Sequence, residues 1–237
     1  MEHTGMGKLL CQMAATIAVL GVICAWNVHR ADERVAAAAA AGAVDLPVIM
    51  YHSILKDEAR AGPYVLSPAA LEADLDYLTH HGYETVTVQM LIDYVDGVGE
   101  LPEKPVLITF DDGFYNNYLY AYPLLQERGM QAVVSVIGEQ TALYTESGQE
   151  NAYWSYLSAG RLAEMQESGV FEIGSHSYAL HDNAGRKGCL KKWGEGQAAY
   201  EALLTQDTQK VQRLLAGAGV TPPVCYAYPY GCLLYTS

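Results

Sequence analysis

Apolar and polar positions alternate in blocks along the middle of the chain. Leu46 to Tyr51 is a short apolar run opened by Pro47, and it reads as a strand. Ser67-Pro68 opens a helix, with Ser as the cap and Pro in the first turn. Leu71, Leu75 and Leu78 then keep one apolar face, and Gly82 ends it. Glu84 to Val88 reads as a strand, and Pro105 to Phe110 (Pro-Val-Leu-Ile-Thr-Phe) as a buried one. A helix through Tyr118 to Arg128 stops at Gly129, and Gln131 to Ile137 is the next strand. A helix over Ser158 to Ser168 ends at Gly169 and is followed by a strand, Val170 to Gly174. A long helix, Ala198 to Ala216, precedes a last strand, Pro223 to Tyr228. Glu139 to Tyr156 is polar, holds Gly148 and shows no clear period, so it reads as an inserted loop. About six strands alternate with helices, which predicts an α/β fold with a mainly parallel sheet. A closed (β/α) barrel uses more strands. The pattern leaves an open sheet or a barrel missing its end.

The two ends read differently. Lys8 precedes Leu9 to Trp26, a stretch without charge whose strongly polar residue is Gln12. At about 1.5 Å per residue it is near the lower limit for a spanning helix. Residues 1–30 are therefore expected to be a signal peptide or membrane anchor, and residues 31–45 an Ala-rich tether. The expectation is an exported protein, secreted or held at the membrane by this segment. Residues 46–231 hold the domain. The last six residues, Cys-Leu-Leu-Tyr-Thr-Ser, resemble one reading frame of a transposon end used in sequencing libraries. Residues 232–237 are expected to be foreign and the domain incomplete at its C-terminus; a natural end is the alternative.

Composition narrows the function. Hydrophobic residues are 51% of the 237 and charged ones 17%, which excludes a disordered chain. Asp plus Glu number 27 against 14 Lys plus Arg, a formal charge of −13, and this excludes the basic footprint of a nucleic-acid binder. Tyr occurs 18 times and Phe 3 times, as suits rings that are half wet in a polar cleft. Cys189 and Cys225 are placed to pair outside the cell, but two residues establish no bond.

Chemistry concentrates at three strand ends. Thr109-Phe110-Asp111-Asp112-Gly113 puts two carboxylates after a buried strand, where α/β folds place catalytic groups. Consecutive strand residues point in opposite directions, so the two Asp should have different tasks. They are too close to act as a glycosidase pair. Gly174-Ser175-His176-Ser177-Tyr178-Ala179-Leu180-His181 follows another strand. Two His and a carboxylate suit Zn²⁺ with a position open for water. The spacing of the His is not helical, so a turn must bring them together. Tyr226-Ala227-Tyr228-Pro229-Tyr230-Gly231 marks the third end and alone is a weak aromatic-turn signal.

Thr-Phe-Asp-Asp-Gly, His-Ser-x-x-x-His and Tyr-Pro-Tyr-Gly, in that order, resemble the polysaccharide deacetylase family. Pro47-Val48-Ile49-Met50-Tyr51-His52-Ser53 and the longer His spacing are similar to the branch that deacetylates poly-N-acetylglucosamine. The resemblance implies a distorted (β/α) barrel and a divalent metal, most simply Zn²⁺. It implies Asp112, His176 and His181 as ligands, Asp111 as the base, and the backbone N–H of Tyr230 as an oxyanion donor. His52 is the candidate acid for the leaving amine; closing the barrel end by hydrogen bonding is its other reading. Tyr115, Tyr178 and Pro229 are expected at the substrate; Tyr115, Asn116 and Asn117 suit contact with sugar hydroxyls or, equally, a helix cap. The implied partner is an acetylated polysaccharide such as peptidoglycan or an exopolysaccharide. An O-acetyl esterase and a non-catalytic glycan-binding module remain as alternatives. Arg186, Lys187, Lys191 and Lys192 read as a solvated loop. Trp154 and Trp193 are suited to sugars, but no pattern places them.

Overall fold

The computed structural model describes residues 44–182 and 185–231. The expected leader, most of the tether and the tail lie outside them. Among the described residues no helix is long and apolar enough to cross a membrane. The described residues from Leu46 to Gly231 form one compact unit.

The main sheet is parallel throughout. Strand β1 (Val48–Tyr51) pairs with β5 (Pro105–Phe110), β5 with β6 (Ala132–Val136), and β6 with β7 (Phe171–Ser175). Strands β2 (Ser53–Ile54) and β3 (Val65–Leu66) pair apart from it, and β4 (Glu84–Thr85) joins the N-terminal end of β5. The register sets Tyr51 beside Phe110, Phe110 beside Val134, and Val136 beside Ser175. Parallel strands point the same way, so the residues that follow β1, β5, β6 and β7 all emerge at one end.

Local chemistry accounts for the helices. Helix α1 (Pro68–His80) starts where Ser67 Oγ accepts from Ala70 N at 3.2 Å, with Pro68 in its first turn. It buries Leu71, Leu75 and Leu78, each worth about 1.5–3 kcal/mol when fully buried. Helix α2 (Val88–Val95) begins inside the span expected to end a strand. Its two first N–H groups donate to Glu172 of β7 at 2.6 and 3.1 Å, a cap from a remote strand. The expected helix after β5 opens instead as a π-helical turn, Asn117–Ala121, before α3 (Tyr122–Glu127). Pro123 lies in the first turn of α3 and has no N–H to give, so the regular ladder is interrupted there.

Helix α4 (Gly138–Ser147) replaces the first part of the expected loop. It shows no apolar stripe because few of its side chains are buried; Gly138 and Thr141 make its inner contacts. Helices α5 (Ala159–Glu167) and α6 (Gln197–Gly217) match the expected ones within a residue. The expected last strand is reduced to one parallel bridge, Ser175 to Tyr226, with Ser175 N donating to Cys225 O and Ala227 N to Ser175 O. The core lies between sheet and helices, with Phe110, Ile108, Val134, Phe171, Ile173 and Leu215 fully or almost fully buried.

Candidate metal centre and active site

The turn after β5 carries Asp111, Asp112 and Gly113. Asp112 adopts φ 71°, a left-handed conformation costing about 1–3 kcal/mol for a residue with a side chain. Gly113 follows at φ 76°, and a Cβ there would meet Val136 Cγ1 at 2.8 Å. The turn thus fits against the end of β6 only with glycine.

The loop after β7 solves the spacing problem of the two His. Ser177 takes φ 71° and its Oγ accepts from Leu180 N, which folds the segment back. Asp207, buried on α6, accepts from the N–H of Tyr178 at 2.7 Å and of Ala179 at 2.9 Å. Gly138 N donates to Ser177 O and Glu139 N to Tyr178 O, tying the loop to the start of α4. The result brings His176 and His181 together, with ring centroids 4.9 Å apart.

Asp112 Oδ1 lies 3.6 Å from His176 Nε2 and 3.3 Å from His181 Nε2. Each of the three residues offers one ligand atom within 4.8 Å of the others. Three observations fit a cation at that point. Asp112 Oδ1 is buried and has no hydrogen-bond donor among the described residues. His176 Nδ1 donates to Ala227 O at 2.9 Å, since a carbonyl only accepts. Burial draws the His176 ring down to about 4, against the pull of Asp112, so it is neutral near pH 7. Its Nε2 therefore aims a lone pair at a carboxylate oxygen, which is repulsive unless a cation lies between them. The donor set, two imidazoles and a carboxylate, suits Zn²⁺.

Asp111 is buried beside this cluster, and its N–H donates to Tyr51 O at 2.9 Å. Burial raises its carboxyl above the usual range, and the charges of His52 and His181 offset part of that rise. His52 sits just past β1, with its ring edge-on to Tyr64 at 5.0 Å. Asn117 donates to its carbonyl at 2.7 Å. Tyr230 has φ 60° in a single 3₁₀ turn, Pro229–Gly231. Its hydroxyl donates to His181 O at 2.9 Å, and its ring packs on His181 at 4.8 Å.

The three residues expected at the substrate each have contacts within the protein. Tyr115 is buried and donates its hydroxyl to Glu150 at 2.9 Å; burial and that bond push it up to about 12. The Tyr178 ring covers Gly138 and lies under Lys210. Pro229 is buried and backs the Tyr230 turn. Asn116 and Asn117 do not cap a helix. Asn116 accepts from Ile54 N and donates to Ser53 Oγ and Ala152 O, so it joins β2 to the loop after α4. Asp207 gave no signal in the sequence, and Asn117 did not show its partner, because their partners are backbone groups remote along the chain. Cys189 and Cys225 are present as thiols, Cys189 beside the Tyr226 hydroxyl and Cys225 against Gly174. In the basic segment, Arg186 is paired with Glu195.

The family model of the polysaccharide deacetylases matches residues 98–237, and the chain belongs to that family. It is 27% identical over 172 residues to poly-β-1,6-N-acetyl-D-glucosamine N-deacetylase of Staphylococcus aureus, covering 72% of this chain and 55% of that protein. The chain spans about half the length of the curated relatives it matches. Among solved structures, a de-N-acetylase from Aggregatibacter actinomycetemcomitans aligns with TM-score 0.68 and 25% identity, covering 80% of this chain and 81% of that one. IcaB from Ammonifex degensii aligns with TM-score 0.64 and 31% identity, covering 80% and 76%. The fold is the α/β fold of these deacetylases.

Proposed function

We propose that the protein hydrolyses N-acetyl groups on a polymer of N-acetylhexosamine outside the cytoplasm and releases acetate. The observation that carries this is the convergence of Asp112, His176 and His181 beside the buried Asp111. The apolar segment Leu9 to Trp26 supports export, and the Staphylococcus aureus relative supports a poly-N-acetylglucosamine substrate.

Asp112, His176 and His181 would hold a divalent cation, Zn²⁺ by their donor types. Such an ion, when bound, supplies Lewis acidity, lowering the pKa of water towards about 7 and polarising an acyl oxygen. Asp111 accepts a proton from the attacking water, and its raised carboxyl is suited to that exchange. The Tyr230 N–H donates to the oxyanion that develops on the acetyl carbonyl. His52 gives a proton to the departing amine nitrogen, held over the site by Asn117 through its own carbonyl.

The test is acetate release from poly-β-1,6-N-acetylglucosamine before and after chelation. Activity should vanish with the chelator and return with Zn²⁺, and Asp112→Ala should bind Zn²⁺ far more weakly by calorimetry. A protein that binds the glycan and Zn²⁺ yet releases no acetate would be a binding module instead.

A further inference from the structure

The segment from Cys225 to Gly231 runs across the folded-back loop of the two histidines and touches both of them. It is stitched to the end of β7 just ahead of the first: Ser175 N donates to Cys225 O at 3.1 Å, and Ala227 N to Ser175 O at 2.8 Å. Ala227 O then accepts from His176 Nδ1 at 2.9 Å. Further along, the Tyr230 hydroxyl donates to His181 O at 2.9 Å. The Tyr230 ring packs on the His181 ring at 4.8 Å, with the planes 32° apart. One short segment therefore holds both imidazoles, the first by a backbone carbonyl and the second by a side chain.

The two imidazoles differ in how far the fold fixes them. The His176 side chain is 4% exposed and that of His181 27% exposed. A fully enclosed ring is confined by the packing around it. A partly open ring keeps rotamer freedom unless a neighbour removes it. Tyr230 is such a neighbour, since it holds His181 by main chain and by ring at once.

The backbone of Tyr230 points the same way. Its φ of 60° and ψ of 19° are left-handed, a conformation that glycine takes freely and a residue with a side chain takes at a cost. Glycine occupies the next position, Gly231, at the same φ. At position 230 the chain keeps a side chain where glycine would relax the backbone, and that side chain reaches His181. The Pro229 ring fixes the backbone just before, so the peptide carrying the Tyr230 N–H lies between two restrained residues. We propose that the Tyr230 side chain is a positioning residue: it braces His181 as a ligand and, through the same turn, holds the oxyanion donor in place. Metal affinity and the aim of that N–H are thereby coupled. The brace rests on the metal-dependent deacetylase reading above.

The test titrates Zn²⁺ into the metal-free protein by calorimetry for wild type, Tyr230→Phe and Tyr230→Ala, all of which keep the backbone N–H. Tyr230→Phe loses the hydroxyl bond and keeps the ring, and it should bind Zn²⁺ about tenfold more weakly. Tyr230→Ala loses both contacts and should bind about a hundredfold more weakly, the span usual for outer supports of a ligand. The loss in Tyr230→Phe should appear with the melting temperature of the metal-free protein unchanged. At saturating Zn²⁺ both variants should still lower kcat for acetate release from poly-β-1,6-N-acetylglucosamine, with KM changed less. Tyr228→Phe, whose ring packs on Tyr226, should leave every reading unchanged. Wild-type Zn²⁺ affinity in both Tyr230 variants, or an equal loss in Tyr228→Phe, would overturn the brace. Wild-type protein that binds Zn²⁺ but releases no acetate would remove the deacetylase reading, while the affinity difference would still decide the brace.

Discussion

At the scale of single residues, the chain turns between two adjacent aspartates and places them in different surroundings. Asp112 enters the left-handed region and joins the histidines, while Asp111 stays in the buried end of the strand register. Asp111→Asn should lower kcat by about 10²–10⁴-fold, the range for loss of a general base, with Zn²⁺ affinity retained in calorimetry. His52→Ala should also lower kcat; near wild-type turnover would leave His52 only its contact with Tyr64. The motif residues were legible because each follows a strand, where chemistry collects in parallel sheets. Asp207, Asn116 and Asn117 were not. Each grips backbone groups from other parts of the chain, and a side chain that binds backbone leaves no pattern in the residue types it binds. Tyr115 and Tyr178 stand beside a motif, and each also has a partner within the protein, Glu150 and Lys210.

At the scale of elements, helix α6 holds the loop of the two histidines from outside. Asp207 satisfies two N–H groups there, so Asp207→Ala should cost about 1.5–3 kcal/mol by denaturant unfolding. It should also weaken Zn²⁺ binding by about 10–100-fold, the usual effect of losing an outer support. Asp207→Asn keeps one acceptor and should recover part of both losses. Gly138→Ala should disturb the same loop, since the new Cβ would lie 2.7 Å from Tyr178 Cδ2. Strand β5 was fully legible because burial made it continuously apolar. Helix α4 was hidden because its sequence has no apolar stripe; α2 has a local cap in Thr87, which the expected strand over Glu84 to Val88 covered. The last strand was over-read: its apolar run makes a single bridge with β7.

At the scale of the whole molecule, one polar cluster ties the loop after α4 to α5 and to the turn after β5. Arg161 pairs with Glu150 and Glu164, and Tyr115 and Tyr118 donate to the same carboxylates. The Arg161 bond holds the Glu150 carboxyl below the ordinary range, and bonds from Tyr118 and Arg161 do so for Glu164. Lowered carboxyls contribute stability above the ordinary carboxylate range and lose it as pH falls through their folded values. The Tm advantage of wild type over Glu150→Gln should therefore be present at neutral pH and vanish in acid, as thermal scans across pH would show. The parallel direction of the strands was legible and implied one active end. The clustering of three left-handed residues there, Asp112, Ser177 and Tyr230, was not. Glycine at Asp112 would relax the backbone but remove the carboxylate, so drift under no selection for that carboxylate should move the position towards glycine. Position 112 is thereby a gauge of descent: a relative that has abandoned the chemistry should betray it there first, before its core changes.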